Sequence, residues 1–355
     1  MNRKKVTLQA GFLVLVMGMT LYSLLREGGL KVFAQTLKTA EYKFIALALI
    51  LLLGYIVLEA VIIKIIMHSL SERISIGKCM KYSFAGFFFY CISPAGSLEQ
   101  PMQLALMHRD GVNTEKAMIS LLLITITFKL SIVLLGAAVY CSGDLGPKLL
   151  TEPVKGFSIA GEILSAGAVV LFAGLLLSPS SLDRAADAAI GVLSSRGIIR
   201  KPLRWEKKKD EFLKDYSSSV RVFRKHRALP AAVLLITIIQ RLCYFAITVP
   251  ACLSIGAGGL SAQDITAAQG MVQLGSEMLP LPGGMGVNEL MYLKVFSPVF
   301  GDQTLSTLIL SRGVGYYCQL IICGLVTAGI WISGLIGKRL SRGGLSPEDR
   351  RKKEK

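Results

Sequence analysis

Long apolar runs alternate along the chain with short polar breaks, and the runs near 20 residues have the length needed to cross roughly 30 Å of hydrocarbon. They predict spans over Val6 to Leu25, Phe44 to Met67, Ala117 to Tyr140, Phe157 to Leu177, Ala228 to Ile255 and Leu305 to Ile336, the last long enough to be tilted or broken. Two further apolar stretches cannot cross alone. Tyr82 to Ile92 holds 11 residues, meets SPAGSLEQP, and is followed by a short amphipathic run ending near Met107. Ile265 to Leu279 meets Pro280, Pro282, Gly283, Gly284 and Gly286, and then the short run NELMYLKVFSPVF. Proline removes a backbone donor and glycine permits positive φ, so neither break continues as a helix. Non-helical backbone inside a bilayer is tolerated only where protein buries it or where it lines a watery cavity. The economical reading is two re-entrant helical hairpins; for the first, one long kinked span is the alternative.

The fold class expected is therefore an all-α polytopic membrane protein with six full spans and two re-entrant hairpins. Composition agrees, with 52% hydrophobic residues and a mean hydropathy of +0.56. The 40 Lys+Arg against 23 Asp+Glu would suggest nucleic acid in a soluble chain. Here they crowd into loops and termini, where they set topology and meet anionic lipid headgroups, and no nucleic-acid partner is expected. The loop 178–227 is the most basic and is placed in the cytoplasm. Its middle, RWEKKKDEFLKDYSSSVRVFRKH, reads equally as a surface helix on anionic lipid or as a solvated loop. Residues 1–340 form one membrane domain with halves at about 44–140 and 228–337, and 341–355 form a basic tail. Both termini are placed in the cytoplasm of a multi-pass plasma-membrane protein, the uncleaved start NRKK included. Seven scattered cysteines and three histidines give no metal-ligand spacing, so neither metal nor cofactor is expected.

This topology makes the first hairpin enter from the cytoplasmic side and the second from the outer side. Discontinuous helices at matching places in two inverted halves point to a binding site near the midplane. The sequence repeats weakly in the same sense: Pro94-Ala95-Gly96 matches Pro282-Gly283-Gly284, and Glu99 precedes Gly111 by 12 positions as Glu289 precedes Gly301. Each glycine leads into a span bearing a cation, Lys129 or Arg312.

A charge at mid-span costs roughly 2.5–3.5 kcal/mol on insertion scales, so each is a functional hypothesis. Lys64 lies about one turn from the end of its span and reads as snorkelling. Glu59 reads as a structural partner for a basic residue, or as part of a site. Lys129 and Arg241 sit too deep to snorkel and read as cavity residues. Arg312 reads either as a ligand cation or as an anchor for hairpin carbonyls. Gln240, Gln269 and Gln273 add amides, and Glu99, Glu277 and Glu289 lie at the hairpin tips, where Glu289 also suits a half-helix N-terminus. The candidate substrate site comprises Glu99, Gln100, Gln103, Lys129, Arg241, Gln273, Glu277, Pro282, Gly283, Gly284, Gly286, Glu289 and Arg312. Buried cations attract phosphate and carboxylates attract amines, which together suit a phospholipid headgroup.

SPAGSLEQPMQLALMHRDGVNTEKAMISLLLITITFK, SEMLPLPGGMGVNELMYLKVF and LILSRGVGYY resemble the signature segments of the lysylphosphatidylglycerol synthase transmembrane-region family, also called flippase-like integral membrane proteins. The resemblance covers roughly Val6 to Ile336. By motif it places Glu277, Pro282, Gly283, Gly284, Gly286, Glu289 and Arg312 in the second signature, and Pro94, Gly96, Gln100, Pro101 and Gln103 in the first. The subgroup commonly has Gly-Gly-Gln-Pro where this chain reads Ser97-Leu98-Glu99-Gln100-Pro101. The resemblance implies lipid translocation, of phosphatidylglycerol or its lysyl ester, linked to lipid metabolism and resistance to cationic antimicrobials. The alternative it implies is phosphatidylglycerol lysyltransferase, acting from lysyl-tRNA. Larger members perform that step in a cytosolic domain, and this chain stops about 20 residues after its last span, so transfer is expected to need a separate lipid-modifying enzyme. Oligomerisation is left open.

Overall fold

The computed structural model describes residues 36, 38–142, 154–195, 202–226, 228–276, 279 and 281–343. The expected span at Val6 to Leu25, Glu277, and the tail beyond residue 343 lie outside them. The described residues are helical, without strands. In order they form α1 (Tyr42–Ser69), α2 (Ile76–Ile92), α3 (Glu99–Arg109), α4 (Thr114–Cys141), α5 (Val154–Leu177), α6 (Pro179–Ser195), α7 (Pro202–Lys225), α8 (Leu229–Phe245), α9 (Thr248–Leu253), α10 (Ala262–Ser276), α11 (Val287–Phe300), α12 (Thr304–Arg312) and α13 (Gln319–Gly343). Five stretches among them are long and apolar enough to cross a membrane: Tyr42–Ser69, Thr114–Cys141, Val154–Leu177, Leu229–Leu253 and Val287–Ser333. This is a multi-pass membrane protein.

Both short apolar stretches fold into helix–tip–helix hairpins, α2 against α3 and α10 against α11. Their tips share one backbone. Gly96 N–H donates to the Ser93 carbonyl and Ser97 N–H to Pro94, while Gly284 N–H donates to Leu281 and Met285 N–H to Pro282. Ala95 and Gly96 have φ of 50° and 67°, and Gly283 and Gly284 have φ of 59° and 64°. The tips then meet: Pro94 and Pro282 pair antiparallel in an isolated β-bridge. Antiparallel pairing of equivalent residues is what a two-fold axis between the tips generates. The register corrects the repeat read from the sequence. With Pro94 on Pro282, Glu99 falls on Val287, and Glu289 lies two positions further along α11. The second arm is longer, 14 residues against 11, and this restores the equal spacing to Gly301 and Gly111.

The cations do not correspond either. Lys129 lies mid-way along α4, whereas Arg312 ends α12, about two helical turns nearer its preceding glycine. After Arg312 the chain widens into a π-helical segment, Gly313–Cys318, before α13. The expected span from Ala228 to Ile255 is also broken, α8 ending at Phe245 and α9 beginning at Thr248. Pro250 lies just beyond and lacks the N–H that would continue the ladder. α5 packs against both α4 and α10, and α1 packs against α8.

The basic loop is helical where described: α6 and α7 pack together, and α7 docks on α4. Tyr216 is fully buried and its hydroxyl donates to the Leu175 carbonyl. The Lys209 ammonium lies 2.6 Å from Asp183 and 2.5 Å from Asp187, joining the two helices.

Candidate functional site

The paired tips form one wall of a cavity of about 590 Å³ between the halves, within the 300–1,000 Å³ usual for small-molecule sites. Glu99, Gln100, Lys129, Arg241, Gln273, Gly283, Gly284 and Arg312, eight of the residues singled out from the sequence, line it. Glu277 lies outside the described residues, and the other four, Gln103, Pro282, Gly286 and Glu289, are not part of the lining. Gln103 is fully buried over Gly86, beside Glu59. Pro282 makes the bridge to Pro94, and Gly286 and Glu289 lie at the start of α11.

Among the described lysines and arginines Arg241 is the least exposed, at 5%. Its guanidinium lies 4.6 Å from the Tyr55 ring centroid and 4.3 Å from that of Phe128. Contacts of this kind contribute up to roughly 2 kcal/mol each once desolvated, enough for the two to offset the roughly 2.5–3.5 kcal/mol insertion cost of the charge. Tyr55 also bonds to the guanidinium, and the Nε has no hydrogen-bond partner among the described residues. Among the described carboxylates, Glu59 is the one whose charge acts on Arg241. Glu59 is 3% exposed, lines the cavity, and accepts from Gln240 Nε2 at 3.0 Å, while its Oε1 stays unpaired among the described residues. Gln240 also donates to the Tyr55 carbonyl at 3.1 Å, fixing α8 to α1. Lys129 Nζ stands 5.2 Å from the Phe128 ring centroid.

Arg312 resolves toward the anchoring reading. Its Nε donates to Glu289 Oε1 at 2.8 Å and its Nη2 to the Gly283 carbonyl at 3.0 Å. Glu289 Oε2 in turn accepts from the Gly286 N–H at 2.6 Å, in the manner of a capping-box carboxylate. One arginine thus ties α12 to both the tip and the first turn of α11. Tyr316 covers the same tip, its ring filling the space a Cβ on Gly283 would need, and its hydroxyl donates to the Cys91 carbonyl of the other hairpin at 3.1 Å. On the first tip, the Tyr90 ring fills the space a Cβ on Gly96 would need.

The sequence reading left Tyr55, Tyr90, Ser276, Tyr316 and Gln319 out of the site, although all line the cavity. The three tyrosines gave a weak signal because aromatics are ordinary in spans. Glu162 of α5 was passed over although it is a carboxylate inside an apolar run; it packs against Gly136 of α4 with Oε2 shielded and unpaired among the described residues. No group of three or more His, Cys, Asp or Glu side chains among the described residues could hold a metal ion.

A search of curated proteins returned no match. A family model described as the lysylphosphatidylglycerol synthase TM region matches residues 8–323, and the chain, a lipid-related membrane protein, belongs to that family.

Proposed function

We propose that this protein carries phospholipid between leaflets, the headgroup entering the cavity between the hairpin tips. The observation that supports this best is Arg241, a buried cation on the cavity wall with the Tyr55 and Phe128 rings against its guanidinium and an Nε that has no partner among the described residues. Its guanidinium and Lys129 seat a phosphate, and Glu59 and Glu99 on the same cavity suit an amine-bearing headgroup such as the lysyl ester of phosphatidylglycerol. In this reading the hairpins re-enter the bilayer from opposite sides, α2–α3 from the cytoplasm and α10–α11 from outside, both termini are cytoplasmic, and alternating exposure of the cavity moves the lipid.

The test is transport of labelled phosphatidylglycerol, and of its lysyl ester, in liposomes containing the purified chain. Arg241→Gln is expected to slow transport by about tenfold or more, as loss of a charge-assisted contact of about 1.5–3 kcal/mol does. Rates equal to protein-free liposomes for both lipids would defeat the proposal. Lysyl transfer, which the family description also brings, is read in the same preparation as labelled lysine passing from charged tRNA into lipid.

A further inference from the structure

A second cleft, about 360 Å³, opens on the flank between α4, α8 and α10. Its walls are apolar, with Leu135 and Val139 of α4, Leu242 and Phe245 of α8 and Met271 of α10 among them, and small residues such as Ala267 and Gly270 give it depth. Polar groups gather at one end, Ser142 of the α4 C-cap together with Gln263 and Thr266 of α10.

The helix faces explain where this cleft leads. On α4 the cleft residues Ile132, Gly136 and Val139 follow Lys129 at steps of three, four and three, which keeps them on one face. On α10 Gly270, Thr266 and Gln263 precede Gln273 by the same steps. Lys129 and Gln273 line the central cavity, so two faces that begin at the proposed headgroup site continue as the walls of the cleft. On α8, Arg241 lines the first space and Leu242 the second. Ten residues along a helix rise about 15 Å, half of a hydrocarbon core of roughly 30 Å. The cleft thus begins beside the cations and runs for one leaflet's depth.

We propose that the cleft seats an acyl chain of the phospholipid whose headgroup lies at Arg241 and Lys129; this rests on the lipid-carrying function proposed above. The polarity of the two spaces fixes the direction of the bound lipid. Cations hold its phosphate mid-way along α4, and the apolar walls take a chain toward the α4 C-terminus. A lipid drawn from the leaflet at the α3–α4 end has this orientation, with its headgroup lifted to the midplane and its chain pointing ahead. Leu242 is 40% exposed and leaves the cleft open on its flank, so a chain can enter from the side while the headgroup passes between the tips. Gly270 and Ala267 then act as a chain gauge: side chains added there fill the space a chain occupies. A Cβ on Gly270 would meet the Phe245 ring at 3.4 Å, an ordinary contact, so the position tolerates substitution.

The experiment uses the full chain in phosphatidylcholine liposomes with trace phosphatidylglycerol carrying a diazirine either at the end of one acyl chain or on the headgroup, and maps the crosslinked peptides. The acyl label is expected within 132–142 and 263–271, and the headgroup label on peptides of the central cavity. Ala267→Trp, with Gly270→Leu as the second variant, should lower the acyl crosslink about tenfold, as the loss of two or more buried methylenes does, and leave headgroup crosslinking in place. An acyl label spread over outward residues such as Ile163, Val170 and Leu171 of α5 without enrichment at the cleft would overturn the chain seat, as would unchanged crosslinking in both variants. If the headgroup label misses the central cavity while the acyl label still maps to the cleft, the lipid-carrying function fails and the chain seat stands.

Discussion

The two hairpins share a tip backbone but are fastened at opposite ends. At the first, the strong contact is at the base, where Lys81 of α2 lies 2.6 Å from Asp110 after α3 and the Tyr82 hydroxyl donates to the same carboxylate at 2.9 Å. Its tip carries lighter links, such as the Ser93 hydroxyl accepting from the Leu98 N–H at 3.1 Å. At the second, the strong contact is the tip itself, where Arg312, 9% exposed, holds Glu289 and the Gly283 carbonyl. The first hairpin is thus a lever pinned at its base, and the second tip is set rigidly on α12. A backbone repeated twice has been given unlike fastenings by a few side chains.

The sharpest way to break this contrast is Arg312→Ala. It leaves Glu289 without its cation inside the protein, and is expected to cost about 3 kcal/mol, near the lower end for breaking a buried pair because Glu289 is partly exposed. Thermal unfolding in detergent reads it, and a shift no larger than that of Lys81→Ala would sink the distinction. Next comes the pair of equivalent positions Ala95 and Gly283, both in left-handed backbone. Gly283→Ala meets the Tyr316 ring as well as strain of about 1–2 kcal/mol, so a loss of about 2 kcal/mol or more is expected. Ala95→Gly relieves its strain and should gain up to about 1 kcal/mol; equal and opposite effects would show that the ring does not matter.

Smaller again is Tyr316→Phe, which removes the bond to Cys91 that joins the hairpins and should cost about 1 kcal/mol. The mildest effect is at the first base. Burial acts to raise the Asp110 carboxyl, but hydrogen bonds from Lys81 and Tyr82 and the charge of Arg109 outweigh it and hold the group below its usual value. A lowered carboxyl contributes stability that is fully present above about pH 4, the unfolded value. That contribution fades as pH falls through the lower folded value. Lys81→Ala should therefore cost up to about 1 kcal/mol at neutral pH and progressively less in acid, whereas a difference unchanged by acid would place its origin elsewhere.

Much of this architecture was legible in the hydrophobic pattern. Phe44 to Met67 became Tyr42–Ser69, and Phe157 to Leu177 became Val154–Leu177, because a bilayer-length apolar run admits only one regular structure. The tips were legible through proline and glycine. The break between α8 and α9 had a signal in Pro250 but was hidden by a hydropathy that continues across it. Cations of the site stood out because charge is costly in a span, whereas their aromatic partners did not. Tyr55 and Phe128 flank Arg241 from two other helices, and no local pattern links positions so far apart. An anchoring role for Arg312 on hairpin carbonyls was readable; that the same arginine also holds Glu289 depends on the fold of the tip.

The bridge between Pro94 and Pro282 carries a consequence for how the halves part. Neither proline offers an amide donor, and within a few residues the chain passes into the helical arms α2, α3 and α11. The contact is therefore held to a single rung. It aligns the two tips without becoming a zipper, so in the proposed transport cycle separating them would require no progressive unpeeling.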